Sequence, residues 1–105
     1  MPDIRVLYST FPSRKEAEAA AAVLLDHHLI ACANVLGEVR SMYRWEGQIQ
    51  NEAEVVFIAK TSGDKLERAI EVLVNTHAYD CPCVTSWTVT AGSEEYLKWV
   101  GNEVG

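Results

Sequence analysis

The sequence predicts an α+β fold: a four-stranded antiparallel sheet with two helices on one face and a third helix at the C-terminus. Two observations carry this expectation. Apolar runs rich in β-branched residues alternate with stretches whose apolar positions recur at helical spacing, in the order β-α-β-β-α-β. The two middle runs flank Glu46-Gly47, a two-residue turn signature in which glycine supplies a positive φ.

Ile4 to Tyr8 is a short apolar run with β-branched residues and reads as the first strand; Thr10-Phe11-Pro12-Ser13 ends it. Ser13 and Glu16 are spaced as a capping box, and Ala17, Ala20, Ala21 and Leu24 follow helix spacing, so a helix is expected from Ser13 to about His28. Leu29 to Val35 reads as a strand with Cys32 packed inside it. From Val39 the pattern alternates. Val39, Ser41, Tyr43 and Trp45 share one face, with Arg40, Met42, Arg44 and Glu46 on the other. After Glu46-Gly47 the return strand runs from about Gln48 to Lys60 through Val55-Val56-Phe57-Ile58.

Asp64 and Glu67 are spaced as N-cap and N3 of a second helix, in which Leu66, Ala69, Ile70 and Leu73 line one face and His77 continues it. Val84 to Thr90 is the last strand. Ser93 caps a terminal helix reaching about Asn102, with Leu97 and Val100 turned to the core. Right-handed crossovers in both halves give a split βαβ arrangement, the ferredoxin-like sandwich, as one domain over residues 1–105.

A chain of 105 residues holds one core, and at 49% hydrophobic and 23% charged it is too apolar for disorder. The net charge of −6 argues against a nucleic-acid partner, which would need a basic surface. No apolar run approaches the roughly 18 residues of a membrane span, and Met1-Pro2-Asp3 lacks the basic and apolar segments of a signal peptide. Three cysteines do not make a disulfide framework, so a cytoplasmic setting is expected.

The stretch with the most chemistry is His77-Ala-Tyr-Asp-Cys-Pro-Cys83, which holds an imidazole, a carboxylate and two thiols. Pro82 favours an extended geometry with Cys81 and Cys83 on one side, their Cα atoms roughly 6.6 Å apart. That spacing suits a shared soft metal and lies near the upper limit for a disulfide. Two thiols entering a strand also fit plain packing. His27 and His28, adjacent on a helix, are a poor chelating pair.

The hairpin strands are about twice as long as the first strand, so the hairpin projects beyond the sheet, carrying Tyr43, Trp45 and Ile49 near its tip. An isolated ribbon is marginal in water, and burying each such side chain is worth about 1.5–3 kcal/mol. Other subunits are the expected cover; a terminal helix folded over the hairpin base is the alternative.

Ala31-Cys32-Ala33-Asn34-Val35, Ser41-x-Tyr43-x-Trp45-x-Gly47-x-Ile49, Glu54, Lys60, His77-x-Tyr79-x-x-Pro82 and Tyr96-Leu97-x-Trp99 together carry a resemblance to the CutA family of divalent-cation tolerance proteins. It covers nearly the whole chain. The resemblance implies a homotrimer formed through the long hairpins, a PII-like shape, and copper or other divalent metal ions as ligands. Some bacterial members of the family bind copper through a cysteine after the first strand and two histidines after the second helix. Here Ser9 and Thr76 stand at two of those positions, leaving His77, with Cys81 or Cys83 as replacement ligands. A second reading is a PII-like small-molecule sensor, with Lys60, Tyr79 and Trp45 around an anionic ligand in an intersubunit cleft. No G-x-x-x-x-G-K loop supports nucleotide binding, no organic cofactor is expected, and no nucleophile–base–acid set points to an enzyme.

Overall fold

The computed structural model describes residues 1–105 and places seven elements in the expected order. They are β1 (Ile4–Phe11), α1 (Arg14–Asp26), β2 (Cys32–Trp45), β3 (Gln48–Ser62), α2 (Gly63–Thr76), β4 (Val84–Thr88) and α3 (Glu94–Val104). The strands form one sheet in the order β2-β3-β1-β4, with every neighbouring pair antiparallel.

Side-chain alternation along β1 and β3 sorts the sheet into two faces. Leu7, Phe11, Val55, Phe57 and Ala59 pack with Ala17, Ala21 and Leu24 of α1 and Ala69 and Leu73 of α2, forming the main core. Ile4, on the opposite face of β1, packs with Leu97 and Val100 of α3. The helices are therefore divided: α1 and α2 cover one face, and α3 covers one end of the other.

Local signals explain most of the boundaries. Ser13 Oγ accepts from the Glu16 backbone N–H at 3.2 Å and donates to the Glu16 carboxylate at 3.0 Å, so the expected cap starts α1. At the other end His28 takes a φ of 56°, beyond the last helical residue. Its N–H donates to Leu25 O and the Leu29 N–H to Leu24 O, a Schellman closure with Leu24 and Leu29 both buried. The helix thus stops short of the two histidines. The cap of α2 lies two residues earlier than the Asp64 expectation. Ser62 is the N-cap residue without a side-chain bond, and the Gly63 N–H is instead satisfied by Asp3 O at 2.8 Å. His77 does not continue α2; it caps the helix in an extended conformation.

The hairpin turn matches its sequence signature. Glu46 and Gly47 have φ of 50° and 79°, the two positive values of a type I′ turn. The length mismatch is real: β2 has 14 residues and β3 has 15, against 8 in β1. β1 pairs only with Val55–Ser62, so Gln48 to Glu54 are bonded to β2 alone. At about 3.3 Å per residue that ribbon projects roughly 23 Å, consistent with a chain 44 Å long and 26 Å wide. Met42, Tyr43, Trp45 and Ile49 lie exposed along it.

Candidate functional site

The projecting hairpin forms the floor, and the segment joining α2 to β4 a wall, of an open groove of about 870 Å³. Its floor follows from register. Val39 pairs with Glu54, Ser41 with Glu52 and Tyr43 with Gln50, so these residues share the sheet face that α1 and α2 leave open. Tyr8 and Thr10 of β1 continue the floor, and Tyr79, Asp80, Cys81, Pro82 and Cys83 form the facing wall.

His77 anchors that wall. Its ring stacks on Phe11 with centroids 4.4 Å apart. The Tyr79 backbone N–H donates to Nδ1 at 3.1 Å. The proton must then sit on Nε2, which donates to the Thr10 carbonyl at 2.8 Å. Both ring nitrogens are occupied, so a metal could be ligated here only by breaking one of these bonds. This hydrogen-bonded turn delivers Tyr79 to the hairpin, where its hydroxyl donates to Glu54 Oε2 at 3.0 Å.

Glu54 is the residue that sequence reasoning missed as part of the site. It is only 7% exposed, and Tyr79 is its one side-chain donor in the chain. No lysine or arginine lines the groove, whose charged members are Glu52, Glu54 and Asp80. Three acidic groups here hold their protons more tightly than usual, burial being the first cause and the neighbouring carboxyl groups the second. Tyr79 is pushed up to about 12 by burial and then by its bond to Glu54. Tyr43 is raised by partial burial and by Glu52. Burial, then the charge of Glu54, pushes the Cys83 thiol up.

Of the six residues expected at a site, Trp45, Tyr79, Cys81 and Cys83 line this groove and His77 supports it from behind. Cys81 and Cys83 are both exposed free thiols. Lys60 is not brought to them. It lies six positions along β3 from Glu54, roughly 20 Å away, with Nζ 5.8 Å from the centre of the Tyr96 ring. Cys32 pairs with Lys60 across the strands and its thiol lies 3.3 Å from the Tyr96 hydroxyl. No cluster of three or more His, Cys, Asp or Glu side chains within the chain is arranged to hold a metal ion. His77 stands behind the groove wall with both ring nitrogens hydrogen-bonded, while Cys81 and Cys83 are exposed upon it.

Residues 5–103 match the sequence profile of the CutA1 divalent ion tolerance protein family. The divalent-cation tolerance protein CutA of Pyrococcus horikoshii is 42% identical over 98 residues, covering 93% of this chain and 95% of that protein. The chloroplastic protein CutA of Arabidopsis thaliana is 36% identical over 97 residues, 92% of this chain but 53% of that protein. The chain therefore spans about half the length of that plant relative. Among solved structures, CutA from Xylella fastidiosa superimposes with a TM-score of 0.95 at 33% identity, covering 98% of this chain and 99% of that one. CutA from Archaeoglobus fulgidus, described as periplasmic, gives 0.93 at 32%, covering 97% and 99%.

Proposed function

Because the chain belongs to the CutA1 divalent ion tolerance protein family, we propose that it serves divalent-cation tolerance by holding copper or another divalent metal ion in the groove. The observation that carries this reading is Glu54, a buried acidic side chain facing a groove without a single basic side chain. A buried carboxylate is costly unless a cation accompanies it. Glu54, rather than His77, is then the anchor, with Cys83 within its field as a thiol that gives up its proton when a metal binds.

One chain does not complete a coordination shell, so the remaining donors come from a second copy. The uncovered sheet face and the apolar side chains of the hairpin support assembly. With sheet order β2-β3-β1-β4, the subunit is a ferredoxin-like sandwich. Its hairpins pack a homotrimer of PII-like shape, in a cytoplasmic setting. No helix is long and apolar enough to cross a membrane. An anion-binding sensor finds less support, because Lys60 lies far along the sheet from Tyr79 and Trp45.

Equilibrium dialysis of the reduced protein against Cu(II) and Zn(II) tests the reading. The parent should bind saturably, and Glu54→Gln, which keeps shape and removes charge, should bind at least about tenfold more weakly, equivalent to about 1.4 kcal/mol. Equal binding by the variant would remove Glu54 from the site.

A further inference from the structure

A second cavity lies in the helical layer, on the opposite side of the sheet from the groove. It holds about 200 Å³ between α1 and α2 and is lined by Val23, His27, Leu29, Arg68 and Val72. We propose that it binds a small amphipathic monocarboxylate, with the apolar body inside and the carboxylate at Arg68. At about 30 Å³ for each water-sized group, the cavity takes roughly seven of them. That is the size of a six-carbon chain or a single aromatic ring.

Helical periodicity builds the site. The His27 N–H donates to Val23 O at 3.2 Å, so the last turn of α1 sets these two side chains on one face. Arg68 and Val72 have the same spacing on α2. Leu29 closes the bottom as a member of the main core, only 7% exposed, and Val72 is partly buried against that core. Val23 is left bare beside the opening, 41% exposed. The interior is therefore aliphatic, and its polar members, His27 and Arg68, are exposed.

Charge selects the ligand. The chain carries a net charge of −6, yet no acidic side chain lines this cavity. Arg68 donates to Glu71 through Nη1 alone, in a pair exposed enough to contribute little. Its Nε–Nη2 edge remains to meet a carboxylate in the bidentate geometry that arginine favours. The apolar body then lies towards Val23 and Leu29, beside the carbonyl end of α1, where an anion would be unfavourable. A dianion such as phosphate would meet one cation and three aliphatic walls, and a neutral body would leave Arg68 unanswered. The cavity shares no residue with the groove, so the inference stands whether or not the groove binds a metal.

The test titrates the full, metal-free chain with sodium benzoate and follows it by ¹H–¹⁵N NMR. Saturable shifts are expected at the Val23, Leu29 and Val72 amides and at Arg68 Nε–H, with a Kd of about 1 mM, ordinary for so small a ligand. Benzamide keeps the ring and removes the charge, and it should bind at least about tenfold more weakly. Arg68→Gln, a change at an exposed position, should abolish the preference for benzoate over benzamide. No saturable shift at about 20 mM benzoate, far above the expected constant, would overturn the proposal. So would equal affinity of the parent for benzamide, an Arg68→Gln variant that still prefers benzoate, or inorganic phosphate shifting the same signals with the same affinity.

Discussion

Replacing Tyr79 by phenylalanine isolates the contact that closes the groove. The ring, 4.9 Å from that of His77, is kept; only the hydroxyl that donates to Glu54 Oε2 at 3.0 Å is lost. A hydrogen bond to a charged group contributes about 1.5–3 kcal/mol. Tyr79 is half-buried, so water restores part of it, and the lower end, about 1.5 kcal/mol, applies. For a domain of this size that lowers Tm by about 6–12 °C. Thermal unfolding must be followed at one protein concentration, because the proposed subunit assembly would make Tm depend on it. Glu54→Gln retains an acceptor for the hydroxyl and should cost less. The double variant should show a coupling of about 1 kcal/mol between the two positions. A Tm loss under about 2 °C, or strictly additive single changes, would show that the Tyr79–Glu54 bond does not hold the groove together.

Three further outcomes follow from local geometry. Glu46→Asn should raise stability by about 0.5–1 kcal/mol, since Glu46 sits at φ 50° in a type I′ turn that prefers asparagine; denaturant unfolding reads it, and a loss of stability would contradict the turn assignment. Ser13→Ala should cost about 1 kcal/mol by removing the α1 cap, and an unchanged denaturation midpoint would show the cap to be idle. The hydroxyls of Tyr79 and Tyr96 are both raised to about 12, the first mainly by burial and the second mainly by its bond to Cys32. The folded state then holds more protons than the unfolded chain above the ordinary tyrosine value of about 10. The stability they contribute is complete below about pH 10 and is lost as pH rises towards about 12. A Tyr79→Phe/Tyr96→Phe variant should flatten that decline, and an unchanged pH profile would refute the assignment.

Element order, the Ser13 cap and the Glu46-Gly47 turn were legible in the sequence because each depends on residues close together along the chain. The helical limits were less so. The Asp64-x-x-Glu67 spacing resembles a cap, but the Gly63 N–H is taken by Asp3, some sixty residues earlier, and that tie starts α2 sooner. His77 looked like a ligand by residue type. Its stacking on Phe11 and its bond to Thr10 arise only when β1 meets the end of α2. Glu54 carried one usable signal: a carboxylate in register with Val39, on the face that bears Ser41 and Tyr43. Periodicity treats such a charge as a solvated face, whereas in the fold Glu54 is buried and takes the Tyr79 hydroxyl as its donor. Lys60 and Tyr79 were grouped by chemistry, yet Tyr79 meets β3 at Glu54, six positions along the strand from Lys60.

The most direct test of a cation held in an assembled groove is native mass spectrometry of the untagged, reduced protein during titration with Cu(II) or Zn(II). The account predicts a species of three 11.7 kDa chains that takes up metal in discrete steps, with the steps lost in Glu54→Gln while the trimer remains. A monomer, or a trimer that binds no metal, would contradict it.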